Sequence, residues 1–168
     1  EWTAKNNTKV TIRPILPEDE EMMVKYHATL SDRSVFLRYL QPMVLQERVV
    51  HDRLSHICHC DYDREIALVA EGKDANGERA IMAVTRLSKL HGTENARLSI
   101  LVNDNYQGMG LGGELIGRML KIAHDERLKR LNAILTDDNL AMRRVFEKLG
   151  FSFEPTDNAK LLMATLNL

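Results

Sequence analysis

The chain has 168 residues, a length typical of one domain with a single hydrophobic core. Its composition, 44% hydrophobic and 28% charged, is that of an ordinary globular protein. Its 23 basic and 24 acidic residues nearly cancel, so the charge gives no reason to expect nucleic acid or a membrane surface as a partner. Since no apolar run approaches the roughly 20 residues of a membrane span and no signal-peptide pattern is present, we expect a cytoplasmic location.

The first half of the chain predicts a strand, three helices and a hairpin. Residues 8–15 (TKVTIRPI) alternate and are rich in β-branched side chains, as strands are. Residues 17–30 begin with a proline and acids, which is typical of a helix N-terminus, and Asn76-Gly77 is a pair typical of hairpin turns. Further amphipathic helices are predicted at 31–40 and 45–57, and apolar strands at 64–72 and 79–88.

The second half predicts a strand–helix–strand unit followed by a helix and a hairpin. The unit covers residues 97–136, and its two strands must be parallel because a helix connects them. A helix follows, with Asp and Asn caps in front and Gly150 as its stop, and a turn at 155–158 separates two closing strands. The order of elements therefore predicts an α/β domain with a mixed sheet.

Two cysteines, Cys58 and Cys60, lie beside His56 and His59. Cysteine and histidine are the residues that zinc prefers, so a metal site is one interpretation. No second cluster with suitable spacing occurs elsewhere in the chain. We therefore expect two reduced thiols and no metal.

The segment NDNYQGMGLGGELIGRML (103–120) contains four closely spaced glycines, Gly108, Gly110, Gly112 and Gly113, between a predicted strand and a predicted helix. The first N–H groups of a helix have no partner within it, and the helix dipole places partial positive charge there. Glycines allow phosphate oxygens to approach these donors closely. The pattern is therefore typical of a phosphate-binding loop.

Two familiar phosphate loops fit this segment less well. A P-loop is excluded, because no Lys-Ser/Thr pair follows the glycines. The dinucleotide fingerprint G-x-G-x-x-G is formally present at Gly108, Gly110 and Gly113, but five residues separate it from the strand end at Val102. Dinucleotide binding remains an alternative, as does a glycine-rich turn without a ligand.

A third pattern, Gln-x-x-Gly-x-Gly, is formed by Gln107, Gly110 and Gly112. Together with the strand ARLSILV (96–102) and the later NLAMRRVFEKLGF (139–151), it resembles the acetyl-CoA-binding core of the GNAT acyltransferases. The resemblance extends along nearly the whole chain. It implies one domain over residues 1–168, with a mixed, mostly antiparallel sheet of about seven strands, a splayed parallel pair and about four helices.

A closer resemblance is carried by TIRPILPEDE, SVFLRYLQPM and DYDREIALVAE, which are similar to the acetyltransferase domain of bacterial Pat-type protein lysine acetyltransferases. The opening EWTAKNNTKVTIRP is similar to the join that precedes that domain, so the chain is expected to be that domain excised or a stand-alone relative. The family implies acetyl transfer from acetyl-CoA to a protein lysine, for example of an acyl-CoA synthetase.

The resemblance also implies roles for individual residues. The pyrophosphate would lie on the backbone N–H groups of residues 107–113, and the pantetheine arm would pair with the main chain of residues 100–102, where one N–H would stabilise the oxyanion. Asn139 would contact the arm or cap its helix, and Phe146 occupies the position at which many members have a tyrosine acid. The expected acetyl-CoA contacts are Ile100, Leu101, Val102, Gln107, Gly108, Met109, Gly110, Leu111, Gly112, Gly113, Asn139, Arg143 and Phe146.

The general base is not given by the family position, because Arg97 stands where the Pat-type pattern has a glutamate. A cation cannot accept the proton of the attacking amine. We name Glu94, immediately before the motif strand, as the first candidate, although regular strand parity places residues 94 and 97 on opposite faces. Glu65, on a neighbouring strand, is the second candidate.

Two other functions remain open. One is acetylation of a small amine or amino acid. The other is a catalytically weak domain that senses acetyl-CoA without turnover, which Arg97 and Phe146 favour.

Overall fold

The computed structural model describes residues 1–168 and contains one eight-stranded sheet. Across the sheet the strand order is β1-β2-β3-β4-β5-β6-β8-β7, and every neighbouring pair is antiparallel except β5 and β6. The strands are β1 (Trp2–Thr3), β2 (Lys9–Pro14), β3 (Glu65–Lys73), β4 (Arg79–Lys89), β5 (Asn95–Val102), β6 (Arg130–Thr136), β7 (Ser152–Pro155) and β8 (Leu161–Asn167).

Six α-helices cover the two faces of the sheet. One core of 24 buried residues joins the sheet to α5 and α6, and a second core of 11 buried residues joins its other face to α1, α2 and α4. No helix is both long enough and apolar enough to span a bilayer. The helices are α1 (Glu20–Ala28), α2 (Asp32–Tyr39), α3 (Leu45–Arg48), α4 (His51–Cys58), α5 (Leu111–Asp125) and α6 (Leu140–Lys148).

The parallel pair is splayed. β5 and β6 are paired only at their beginnings, where the register ends at Arg97 opposite Asn132. Beyond that point β5 stays paired with β4 up to Val102, and β6 stays paired with β8 up to Thr136. The two strands therefore leave a gap between them, which confirms the splayed pair that the family resemblance implied.

The structure has more elements than the about seven strands and about four helices expected. β1 is a two-residue strand that has no sequence pattern of its own and depends on pairing with Val10 and Lys9. The longer helix predicted at 45–57 is divided, because the chain leaves helical geometry at Val50 (φ −57°, ψ 132°). Two successive β-branched valines weaken the helix there only slightly, so the local sequence does not by itself set the break.

Candidate active site

The gap between β5 and β6 opens into a cleft of about 750 Å³. Its walls are β5 residues 97–102, β6 residues 133–135, the glycine loop, the beginning of α6 and one side of α2. Two strand edges, two helix starts and a covering helix therefore meet around one elongated space. A volume of this size lies within the range of small-molecule and cofactor sites.

The glycine loop ends at the N-terminus of α5. Gly108 and Gly110 have φ values of 79° and 89°, a left-handed conformation that side chains other than glycine rarely adopt. The first intrahelical bond is donated by Glu114 N to Gly110 O, at 3.2 Å. The N–H groups of residues 111–113 therefore have no acceptor within the helix, and they form the positive end of its dipole.

Some side chains of the glycine loop make contacts within the protein in addition to bordering the cleft. The Gln107 amide donates to Val102 O at 3.0 Å and lies 3.5 Å from Ser34 Oγ, which ties the loop to the end of β5. Met109 and Leu111 are both buried in the core; Leu111 also lines the cleft, whereas Met109, an expected contact, does not. The Gln107 amide thus has protein partners, whereas the glycine N–H groups remain available.

The free edge of β5 supplies further donors. Asn103 N donates to Met82 O of β4 at 2.8 Å, and antiparallel pairing alternates direction along the strand. The N–H groups of Leu101 and Ser99 therefore point to β4, and those of Val102 and Ile100 point into the gap. Since β6 does not pair with β5 there, these two N–H groups face the cleft.

The beginning of α6 forms the opposite wall. Asn139 caps the helix, since its Oδ1 accepts from Met142 N at 3.3 Å, and its amide group lines the cleft. Phe146 lines the same wall and is 1% exposed, packed edge-to-face on Phe151. Arg143 instead pairs with Glu147 at 3.3 Å and is not among the lining residues.

α2 is fastened over the cleft at its N-terminal end. The Asp104 carboxylate accepts from Ser31 N, Ser31 Oγ and Ser34 Oγ at 3.0, 2.7 and 2.9 Å. Burial raises the pKa of Asp104, but the hydrogen bonds from Ser31 and Ser34 outweigh it and hold that pKa below its ordinary value. Arg33 reaches across to Asp138, beside Asn139, at 3.5 Å.

A second cavity of about 480 Å³, which we call the side cavity, adjoins the cleft. The two share Arg38, Tyr39, Ser99 and Leu101, so they meet at the middle of β5. Sequence reasoning missed this cavity, because its walls come from six separate elements. Its lining residues are Met23, Tyr26, His27, Arg38, Tyr39, Arg53, His56, Ile57, Glu65, Val84, Arg86, Ser99 and Leu101.

Two buried aromatic groups fix the floor of the side cavity. The Tyr26 hydroxyl donates to Leu101 O at 2.6 Å, and burial raises its pKa well above the ordinary value. Burial and the charges of Arg53, Arg48 and Arg38 lower the pKa of His27 to about 3, so its ring is neutral. Its Nδ1 lies 3.5 Å from the Arg48 guanidinium, and its Nε2 is buried without a hydrogen-bond partner.

The two candidate bases lie in different places. Glu94 is exposed, forms an ion pair with Lys129 at 2.7 Å and borders neither cavity. Glu65 lines the side cavity and accepts from Arg86 at 2.8 Å. Glu65 of β3 is paired with Ser88 of β4, and Ser88 is paired with Arg97 of β5. These three residues form one row across the sheet, with their side chains on the same face. Glu65 therefore lies two strand spacings, about 10 Å, from Arg97.

The cysteines and histidines of residues 56–60 do not come together around one point. Cys58 is buried in the core beside α1, and burial raises the pKa of its thiol to about 11. The Cys60 sulfur lies 3.6 Å from Arg86 instead of facing a histidine. No group of three potential metal ligands is assembled in the chain.

Comparison with known proteins agrees with this geometry. Residues 9–152 match the family described as Acetyltransferase (GNAT) domain. Acetyltransferase Pat of Mycolicibacterium smegmatis is 30% identical over 141 residues, which cover 83% of this chain and 40% of that protein. The chain thus spans less than half the length of that relative.

Solved structures share the fold. The GNAT domain of S. lividans PAT superposes with a TM-score of 0.86 at 21% identity, covering 99% of this chain and 95% of that chain. Mycobacterium smegmatis RimJ in complex with CoA-disulfide superposes with a TM-score of 0.72 at 18% identity, covering 94% and 81%. With its splayed strands, its glycine loop and a family match over most of its length, the chain belongs to the GNAT family of N-acetyltransferases.

Proposed function

We propose that this protein transfers an acetyl group from acetyl-CoA, bound in the cleft, to a primary amine that enters through the side cavity. The observation that carries the proposal is the junction of the two cavities at Ser99 and Leu101. Donor and acceptor sites that meet at one strand bring the two reactants into contact. Holding reactants in contact supplies a large part of the rate enhancement in such transfers.

The groups that line the cleft fit the successive parts of CoA, first its pyrophosphate and then its pantetheine arm. The N–H groups of residues 111–113 would bind the pyrophosphate, with Gly108 and Gly113 leaving open space above them. The pantetheine arm would lie along the free edge of β5, between Ile100 and Asn139. The related fold of RimJ holds a CoA-disulfide, which supports CoA as the ligand class.

The chemistry requires three functions at the junction. The N–H of Ile100 or Val102 would stabilise the oxyanion when the amine nitrogen attacks the thioester carbon. The new C–N bond forms, the C–S bond breaks, and CoA leaves as a thiolate. Phe146 has no proton to give to that thiolate, so water supplies it. The proton lost by the amine passes to a carboxylate, directly or through one water.

Glu65 is the carboxylate that the geometry favours, because it lines the side cavity from the row that contains Arg97. Glu94, the first choice from the sequence, would need the loop before β5 to move toward the side cavity. Its ion pair with the exposed Lys129 gives no support to such a movement. The matched variants Glu65→Gln and Glu94→Gln test the two assignments.

For the acceptor, we propose a protein lysine, such as one of an acyl-CoA synthetase. The support is the 30% identity to Pat, together with the similar N-terminal motifs. A small amine is the second candidate, favoured by the volume of the side cavity, which is large enough to enclose a whole small molecule. The free thiols of Cys58 and Cys60 support a reducing, cytoplasmic location.

One assay separates these possibilities from a sensor domain. The protein is incubated with acetyl-CoA and either an acyl-CoA synthetase or a panel of small amines, and free thiol release is followed with mass spectrometry of the products. A specific acetylated lysine supports the first candidate, and rapid turnover of one amine supports the second. Binding of acetyl-CoA by calorimetry, with no thiol release above the acceptor-free rate, contradicts both and favours a sensor.

A further inference from the structure

The side cavity contains more positive charge than the proposed reaction needs. Three arginines, Arg38, Arg53 and Arg86, line it together with a single carboxylate, Glu65. Arg86 uses that carboxylate, at 2.8 Å, and is further held by Ile57 O at 2.9 Å. Arg38 and Arg53 therefore face the cavity without an acidic partner.

Arg53 is fixed in position by neutral groups. Its guanidinium donates to the Tyr39 hydroxyl at 2.9 Å and to Arg48 O at 3.0 Å. These bonds orient the group but leave its charge uncompensated. It also lies 5.2 Å from the centre of the Tyr39 ring, which therefore contacts two guanidinium groups.

Arg38 is the least satisfied of the three arginines. It stacks on Tyr39 at 4.8 Å and has neither an ion pair nor a hydrogen bond, although it is half-buried. Burial, reinforced by the charges of Arg86 and Arg53, lowers the pKa of Arg38 from its ordinary value. Since arginine stays protonated in proteins, the lowered pKa reports a desolvated charge that lacks an anion.

Building on the proposed acetyl transfer, we propose that the side cavity selects acceptors in which a carboxylate lies close to the reactive amine, and that Arg38 binds this carboxylate. Arg38 borders both cavities, so a carboxylate held there lies next to the acetyl group. Glu65 would receive the amine end and Arg38 the acidic end of the same molecule. An acceptor with a positive charge alone would instead meet three cations and one carboxylate.

The carboxylate has two possible sources, a free amino acid or an acidic residue beside an acceptor lysine. Matched pairs distinguish them: glutamate and glycine against their α-carboxamides, and two peptides that differ only in having Asp or Asn next to the lysine. We expect kcat/KM to be higher by about ten- to a hundredfold for the carboxylate member of one pair. The pair that shows the preference identifies the source.

Variants then test the residue. Arg38→Gln should abolish the preference, mainly through KM, and Arg38→Lys should retain part of it because the charge remains. Arg64→Gln is the control, since Arg64 is 81% exposed, pairs with Asp61 and borders neither cavity. If Arg38→Gln instead lowers kcat equally for both members of each pair, Arg38 acts on the thioester and the proposal is wrong.

A binding measurement keeps the proposal separate from acetyl transfer itself. Calorimetry of the N-acetylated amino acids and peptides, titrated into protein saturated with CoA, needs no turnover. Preferential binding of the carboxylate products, lost in Arg38→Gln, supports the anion site even if no amine is acetylated. Turnover without any carboxylate preference overturns the anion site and leaves the proposed transfer intact.

Discussion

Glu65 combines two properties that a general base at this site needs, a position in the wall of the side cavity and a carboxylate held in place by Arg86. We expect Glu65→Gln to lower kcat by about 10²- to 10⁴-fold, because the amide keeps the shape and some hydrogen bonds but cannot take the proton. Acetyl-CoA affinity, measured by calorimetry, should be unchanged. Glu94→Gln is the matched substitution outside both cavities and should turn over at nearly the normal rate.

The opposite result, a large loss in Glu94→Gln with normal turnover in Glu65→Gln, would restore the assignment made from the sequence. Sequence reasoning ranked Glu94 first because it is close to Arg97 along the chain. Glu65 reaches that row only through two successive strand registers, β3 to β4 and β4 to β5. Register between non-adjacent strands is set by the whole sheet and cannot be deduced from local spacing.

At the scale of elements, the glycine loop and α5 carry the prediction for donor binding. Gly113 and Gly117 are both helical, one turn apart in α5, and a Cβ on either would meet nothing within 4 Å. Of these two glycines, Gly113 lines the cleft and Gly117 does not. Gly113→Leu should therefore cover the free N–H groups and weaken acetyl-CoA binding more than about tenfold, whereas Gly117→Leu should leave it unchanged. Calorimetry that finds equal affinities in the two variants would remove the loop from the binding site.

The hydrogen bonds between Asp104 and the start of α2 give a second prediction at the scale of elements. In Asp104→Ala the carboxylate that accepts three hydrogen bonds from Ser31 and Ser34 is lost, while Asp32→Ala removes a nearby acid of α2 that makes no such bonds. We expect amide hydrogen exchange in residues 32–39 to become about tenfold faster in Asp104→Ala only. The KM values for acetyl-CoA and acceptor should both rise, because α2 borders both cavities. Unchanged exchange would mean that packing alone holds α2.

Most elements were predictable because their patterns are local. The alternation of β2, the Asn76-Gly77 turn with φ 77° at Gly77, and the strand–helix–strand unit all have periods or turn residues that physics ties to one structure. The break at Val50 and the short β1 depend on tertiary contacts. Arg48, the last residue of α3, is for example buried and its guanidinium donates to His27 O of α1 at 2.9 Å, a contact that no local pattern shows.

At the scale of the whole molecule, the side cavity is the part that no local pattern predicted. Its residues come from α1, α2, α4, β3, β4 and β5, and they meet only when the core between the sheet and α1, α2 and α4 has formed. The cleft was accessible to sequence reasoning because a recognisable loop and strand build it. The side cavity has no such signature, and its charge balance emerges from side chains that are each unremarkable in the sequence.

The same assembly makes the stability of the whole molecule depend on pH through His27. Its folded pKa of about 3 lies below the unfolded value of 6.5, because burial and neighbouring arginines disfavour the imidazolium. The unfolded chain therefore binds the proton first as the pH falls. The stabilisation is complete above pH 6.5 and is lost progressively toward pH 3.

We expect this single group to lower the free energy of unfolding by about 2–3 kcal/mol between pH 7 and pH 4.5. In His27→Gln the side chain cannot titrate, so urea unfolding should show a smaller loss over that interval, whatever its stability at pH 7. The control is His51→Asn, since His51 is exposed and bonded to Glu20, which raises its pKa. That variant should retain the acid-dependent loss contributed by His27. Identical pH dependence in wild type and His27→Gln would contradict the assignment, because the difference between those two curves isolates the proton that this one side chain takes up on unfolding.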